Sequence, residues 1–241
     1  TFINNETIRQ TAEAAICEFY NLVCPINNKR IDNNIKNGMI NCFNSCVEKL
    51  KQLKIIKSIG YKNGSVDFEC EDNKTLSLKT LKNKEGKICP QTVGQPTLNS
   101  FDKYWNLNFN GNIDNNSDRW DFIKSNIHNF LNTMLKNVFC CDYLIIIKNC
   151  NDIDNMKIIL YSNENLKDKL NYFINQDIYF TREKYEERWN KNKQKHSEFS
   201  TTIKCKINNI EISIGEIQFH KSSRKQIKFR FYNKFLEELF Y

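Results

Sequence analysis

Two acidic residues and a lysine on a predicted β-hairpin give the strongest chemical signal in this 241-residue sequence. Alternating apolar residues predict strands over residues 65–70 and 75–80, with turn-forming residues between them. Asp67 and Glu69 lie on the polar face of the first strand, and Lys79 lies on the second. The spacing therefore predicts that carboxylates and an ammonium group meet on one face of the hairpin.

The apolar residues of the two strands predict a register. If both apolar sets enter the same core, Phe68 lies opposite Leu78 and Cys70 lies opposite Leu76. The same register predicts the polar pairs Asp67 with Lys79 and Glu69 with Ser77.

Such a group of residues suits metal-dependent hydrolysis of phosphodiester bonds. Carboxylate oxygens are the ligands that Mg²⁺ prefers, so Asp67 and Glu69 are the candidate metal ligands. A lysine such as Lys79 can orient the attacking water and offset negative charge in the transition state. The alternative is a surface hairpin with an Asp–Lys pair worth under about 1 kcal/mol.

With these residues, the segment 6–148 resembles the PD-(D/E)XK nuclease superfamily, which has the restriction-endonuclease-like fold. Asp67 matches the first acid of the motif and Lys79 matches its lysine. The sequence departs from the pattern at Val66, where proline is common, and at Ser77, which replaces the second acid. Glu69 could supply the missing carboxylate, and so could an acid of the first helices, namely Glu13, Glu18 or Glu48.

A Gly-Gln-Pro segment follows the hairpin and is predicted to lead into a helix near Thr97. In the resembling fold this helix borders the active site. Gln95 is therefore a candidate to hold the attacking water or a phosphate oxygen, and a turn with a solvent-facing amide is the alternative.

A second predicted hairpin, over residues 210–232, points to DNA. Packing its apolar residues together exposes a polar face, and Gln and Arg are side chains that contact base edges. The candidate DNA-binding residues are Gln218, His220, Arg224, Lys228 and Arg230. A solvated strand face with a Glu216–Arg230 ion pair is the alternative. Glu216 and Gln218 also form an acid-x-Gln variant of the catalytic triplet, which ranks second to the first hairpin.

The charge of the chain favours a polyanionic partner. Its net charge is +8, and between Arg182 and Arg230 there are 13 Lys and Arg against 6 Glu, a local +7. Double-stranded DNA is the expected partner, and a homodimer is left open. Abundant Asn and Lys with few Arg also fit coding bias, which would raise the charge without selection for binding.

The order of predicted elements defines the fold class. Two helices, three strands, a long helix over residues 117–138 and an apolar strand over 143–148 indicate an α/β (α+β) protein, with a mixed sheet flanked by helices. A β-rich, basic part follows. We therefore predict a catalytic core over residues 1–150 and a DNA-recognition region over 151–241, packed as one compact unit.

Cysteine use and hydropathy predict the compartment. Ten Cys without a signal-like start or Cys-x-x-Cys spacing indicate reduced thiols in a cytoplasmic protein and argue against a zinc site. No apolar run reaches the length of a membrane helix. Together with the resemblance, the sequence predicts a Mg²⁺-dependent type II restriction endonuclease, and a non-catalytic nucleic-acid-binding protein is the alternative.

Overall fold

The computed structural model describes residues 3–25, 30–60, 66–91, 93–101, 103–104, 108–186, 197–220 and 225–240. The chain forms two compact units, one from Thr1–Gly86 with Phe139–Asn165, the other from Lys87–Val138 with Leu166–Tyr241. The units are interleaved in sequence, whereas the predicted domains are contiguous. The functions assigned to those two segments remain predictions.

Seven helices and ten strands are formed by the described residues. The helices are α1 (Asn5–Phe19), α2 (Asn33–Ser45), α3 (Val47–Lys51), α4 (Asn116–Ser125), α5 (Ile127–Val138), α6 (Leu166–Ile174) and α7 (Asn233–Phe240). The strands are β1 (Ile55–Ser58), β2 (Phe68–Cys70), β3 (Thr75–Thr80), β4 (Lys87–Ile88), β5 (Tyr143–Lys148), β6 (Lys157–Ser162), β7 (Ile178–Phe180), β8 (Ser197–Ile207), β9 (Ile210–His220) and β10 (Ile227–Tyr232). The mixed α+β class predicted from the sequence is confirmed.

The first unit is a five-stranded sheet covered by helices, with the strand order β1-β2-β3-β5-β6. Strands β3 and β5 are parallel, and the other neighbours are antiparallel. The α1 helix begins where the Asn4 side chain accepts a hydrogen bond from the Thr7 N–H at 2.7 Å. Its apolar face, with Ile8, Ala12 and Ile16, packs into the core of the sheet.

The predicted register of the first hairpin is wrong. Phe68 pairs with Leu76, and Glu69 pairs with Thr75. The turn is tighter than expected, because Asp72 and Asn73 adopt positive φ angles of 59° and 58° and bring the strands together early. A shift of two residues leaves every side chain on its original face, so alternation alone could not detect it.

The second unit is an antiparallel sheet with the order β4-β10-β9-β8-β7. One face is packed with aromatic rings; for example, Phe130 of α5 contacts Phe229 with ring centroids 5.3 Å apart. Phe231 stacks on Phe235 of α7. In the β9–β10 pair, Ile227 lies opposite Phe219 and Phe229 lies opposite Ile217, so the apolar residues of the two strands share one face, as the sequence predicted.

Helix boundaries differ from the prediction in two places. The long helix expected over 117–138 is broken at Asn126 into α4 and α5, and Asn115 caps α4. The helix expected from Thr97 is a single 3₁₀ turn over Leu98–Ser100. By contrast, β5 has the bounds predicted from the sequence.

All ten cysteines are free thiols. Among the described residues, no helix combines the length and the apolar character needed to cross a membrane.

Candidate active site

Asp67 is a buried carboxylate immediately before β2, with 6% of its surface exposed. Its Oδ2 accepts hydrogen bonds from the Leu78 N–H at 2.6 Å and from the Ser77 hydroxyl at 3.2 Å. Both partners belong to β3, one strand over. These bonds hold the carboxylate in one orientation and satisfy part of its need for donors.

Lys79 reaches the same carboxylate through a serine. Its Nζ donates to the Ser77 Oγ at 2.8 Å, and Ser77 in turn donates to Asp67. Ser77 is 1% exposed, whereas Lys79 is half-buried. The observed register explains these hydrogen bonds, because it places Asp67 opposite Ser77 and not opposite Lys79. The structure thus brings Asp67 and Lys79 together, as the sequence predicted, but through an intermediate hydroxyl.

Glu13 of α1 is the acid that joins this group. It is 4% exposed, and its Oε1 accepts from Arg9 Nη1 at 2.8 Å. The pKa of Glu13 is raised to about 7, mainly by burial and also by the charge of Asp67, while Arg9 and Lys79 act to lower it. Helix α1, which carries Glu13, contacts strand β3, which carries Lys79. Of the three helical acids considered, Glu18 instead pairs with Lys36 at 2.8 Å, and Glu48 is exposed.

Glu69 does not have the position that made it the preferred auxiliary acid. It lies between Lys57 of β1 and Thr75 of β3, whereas the prediction placed it opposite Ser77. Because the predicted register is wrong, the position of Glu69 does not support it as the replacement for the acid missing at Ser77. Its role as a metal ligand rests only on sharing a strand face with Asp67.

A thiol also lies beside this group. Cys141 is buried, and a hydrogen bond from the Ser77 backbone acts to lower the pKa of its thiol. Its pKa is raised, first by a hydrogen bond with the Cys140 thiol and then by burial. Cys141 is therefore a neutral neighbour of Lys79 at physiological pH.

Asp67 and Glu13 are suited in chemistry to a hard cation. Mg²⁺ is commonly held by one or two carboxylates, with water and substrate phosphate completing its coordination. The described residues contain no cluster of three or more His, Cys, Asp or Glu that could enclose a metal ion. Two carboxylates are a donor set that suits Mg²⁺ held together with substrate.

Gln95 lies in the second unit, beside the second hairpin. Its carbonyl accepts from the Gln226 Nε2 at 2.8 Å, and its own Nε2 contacts the Gln91 carbonyl at 3.5 Å. The flanking carbonyls of Gly94 and Pro96 accept from the backbone N–H groups of β10. The segment therefore pairs with a strand, whereas the prediction had it lead into a helix.

The four predicted DNA-binding residues that the structure describes share one face of the second sheet. Gln218 lies opposite Lys228, and Arg230 lies opposite Glu216 with an ion pair of 2.9 Å. His220 lies at the end of the same face of β9. Arg224 lies outside the described residues. We call the surface formed by the described residues of this set, together with Glu216, Lys87 and Ser200, the polar face.

The sequence analysis did not identify Arg9, which pairs with Glu13, or Lys87, which lies on the polar face. Arg9 was detectable, because it lies four residues before Glu13 on a predicted helix. Lys87 had no local signal, since β4 has only two residues and pairs with β10 at a distance of more than 140 residues in sequence.

A comparison with known proteins finds a partial relative. Over 73 residues, the chain is 40% identical to the type II restriction enzyme CviAII of Paramecium bursaria Chlorella virus 1. The match covers 30% of this chain and 20% of that enzyme. No protein-family model matches the chain. Part of this chain is therefore similar to part of a type II restriction enzyme.

Proposed function

We propose that this protein is a type II restriction endonuclease that hydrolyses phosphodiester bonds of double-stranded DNA at a specific sequence and depends on Mg²⁺. The observation that carries the proposal is the hydrogen-bonded series of Asp67, Ser77 and Lys79, together with the electrostatic interaction of Glu13 with Asp67 and Lys79. The partial similarity to a type II restriction enzyme supports it.

In this proposal Asp67 and Glu13 hold the metal ion. When bound, Mg²⁺ would polarise the phosphate and favour hydroxide formation from water. Asp67 is prepared for this role because the Leu78 N–H and the Ser77 hydroxyl fix one oxygen, Oδ2, and so set the direction of the whole carboxylate. Glu13 receives a compensating positive charge from Arg9, which favours its charged form.

Lys79 is proposed to orient the attacking water and to stabilise the negative charge that develops on the phosphate. Its ammonium has three donors, and the bond to Ser77 uses one of them. The bond to Ser77 fixes the end of a flexible side chain, so less ordering is needed when substrate binds.

The polar face is proposed to contact DNA. Gln218, Arg230 and His220 offer hydrogen-bonding groups for base edges, and Lys228 offers a charge for phosphate. Gln95 is proposed to act with them, because its carbonyl is bonded to Gln226 on this hairpin.

The test is cleavage of plasmid DNA by the wild-type protein and by Asp67→Asn, with Mg²⁺ or with EDTA. We expect discrete fragments only for the wild type with Mg²⁺, since the substitution removes a charged ligand and keeps the side-chain volume. Asp72→Asn is the matched control, because Asp72 is an exposed turn residue with a φ of 59° that asparagine tolerates.

A non-catalytic nucleic-acid-binding protein is the second candidate. Ser77 favours it, because this residue stands where the resembling motif has a second acid. Duplex binding without cleavage in any divalent metal would support this candidate and contradict the nuclease proposal.

A further inference from the structure

Glu216 is the centre of the polar face. Its carboxylate accepts from Lys87 at 2.6 Å, Arg230 at 2.9 Å, Ser200 at 2.9 Å and Gln218 at 3.1 Å. These donors come from four different strands, β4, β10, β8 and β9. One acid therefore organises side chains across most of the width of the second sheet.

This arrangement differs from an ordinary surface ion pair. The Glu216 side chain is only 13% exposed, and those of Lys87 and Arg230 are 28% and 27% exposed. Burial on its own raises the pKa of Glu216, but the hydrogen bonds from Lys87 and Ser200 bring it below its ordinary value. The carboxylate is thus charged, and long side chains that would otherwise sample many rotamers are held in one arrangement.

The residues that Glu216 holds are those suited to reading base edges. Arg230 and Gln218 can form paired hydrogen bonds with bases, and Lys228 lies directly opposite Gln218 on the same face. The cations of this face complement a polyanion. An acid on this face opposes phosphate binding, and a positioning role would explain why Glu216 lies there.

We propose that Glu216 is a positioning residue for sequence recognition, which holds Arg230 and Gln218 in the orientation that meets base edges of duplex DNA. The inference rests on the proposed function, because DNA is the ligand. It adds that the sequence preference of the protein depends on an acid that lowers general affinity for DNA.

This role predicts opposite changes in two measured quantities. In Glu216→Gln the net charge of the face rises by one, and an amide cannot accept from four donors as a carboxylate does. We expect affinity for random duplexes to rise, with a salt dependence steeper by about one ion. We expect discrimination between preferred and random duplexes to fall by about 10-fold, since Arg230 and Gln218 are no longer held. A purely structural role would not separate the two quantities.

The experiment selects binders from duplexes with a randomised centre, in Ca²⁺, and sequences them to find the preferred site. Affinities for that site and for random duplexes are then measured across a salt series. Glu211→Gln is the matched control, because it makes the same charge change on β9 at a residue paired with Lys204 and Tyr179. Circular dichroism melts confirm that each variant is folded, and Glu216→Asp tests rescue by a shorter carboxylate.

The outcomes separate this inference from the proposed function. Loss of discrimination in Glu216→Gln, with discrimination kept in Glu211→Gln, supports the positioning role. If the wild type selects a sequence and Glu216→Gln selects it equally well, the positioning role is overturned and the proposed function is not. A wild type that binds no duplex overturns both.

Discussion

At the scale of single residues, the site depends on a serine standing where the resembling motif has an acid. Ser77 links Lys79 to Asp67, with bonds of 2.8 Å and 3.2 Å. A hydroxyl can accept from the ammonium and donate to the carboxylate at the same time. A carboxylate at position 77 would instead add a second negative charge beside Asp67. In the proposed site the second acid is Glu13 of α1, whose pKa responds to the charges of Asp67 and Lys79.

Replacing Lys79 by alanine is expected to lower the cleavage rate by at least about 100-fold, because one preorganised donor is lost from the transition state. DNA binding in Ca²⁺ should stay close to that of the wild type. Lys74→Ala is the control, because Lys74 lies on the same hairpin and bonds to Tyr143. Single-turnover cleavage and gel-shift binding check both statements. Wild-type cleavage by Lys79→Ala would move the site elsewhere, with Glu216 and Gln218 the next residues to test.

Glu13→Gln and Glu69→Gln test which acid completes the metal site. We expect Glu13→Gln to weaken Mn²⁺ binding and abolish cleavage, since Glu13 interacts electrostatically with Asp67 and Lys79. Glu69→Gln should change both quantities little, because Glu69 lies between Lys57 and Thr75. Calorimetric titration of Mn²⁺ without DNA gives a measurement independent of activity. The reverse order of effects would restore Glu69 as the auxiliary acid.

The pKa of Glu13 predicts a pH dependence of stability. Burial raises this pKa from 4.5 to about 7, so the folded state holds a proton that the unfolded chain releases between these values. The free energy of unfolding should therefore fall as pH rises from 4.5 to 7, by up to roughly 3 kcal/mol. Urea denaturation in EDTA at a series of pH values measures it. Glu13→Gln should remove this part of the slope, and identical slopes in the two proteins would contradict the assignment.

At the scale of secondary-structure elements, a helix face and a tight turn bring the site together. On α1, Ile8 and Ala12 enter the core, and Arg9 and Glu13 form an i,i+4 pair on the flank. The turn at Asp72 and Asn73 sets the β2–β3 register and so brings Ser77 to Asp67. Helix α1 carries Glu13, and the hairpin whose register the turn sets carries Asp67.

The β9–β10 hairpin should act in DNA binding and not in the chemical step. If Lys228 contacts phosphate, Lys228→Gln should weaken binding to all duplexes alike and lower the salt dependence by about one ion. If Arg230 contacts a base, Arg230→Gln should lose about 1–3 kcal/mol for the preferred site only. Lys234→Gln, on α7 with a side chain 84% exposed, controls for charge. Unchanged affinity and salt slope in both variants would make this hairpin a solvated surface.

At the scale of the whole molecule, the two units share the chain by interleaving. Residues 87–138 belong with 166–241, and residues 139–165 return to the first unit. In the sequence, α4 and α5 of the second unit lie between β3 and β5, which are neighbours in the first sheet. Neither unit is a continuous stretch of sequence.

A fragment of residues 1–150 is expected not to fold cooperatively. It lacks β6, which pairs with β5 along six residues, and it lacks β8, β9 and β10 of the second sheet. Phe130 would also lose its contact with Phe229. Thermal melts of the fragment and the full chain, followed by circular dichroism, compare the two. A monomeric fragment with a sharp transition would show that the first 150 residues form a domain by themselves.

The sequence alone determined much of the local structure and the side chains on each strand face. Alternation identified β3, β9 and β10, and a continuous apolar run identified β5. Alternation also identified Asp67 and Lys79 as partners, since face assignment depends only on a period of two residues. Glu13 was one of three acids that the helix pattern left open.

Only the tertiary structure decided the register of the first hairpin, the choice of Glu13 and the network around Glu216. A shift of two residues preserves the face of every side chain, so the backbone of the turn had to decide between registers. The position of α1 against β3 selected Glu13, and the pairing of β4 with β10 brought Lys87 to Glu216. Contacts between residues far apart in sequence depend on how the elements pack, and no local pattern of residue types encodes that packing.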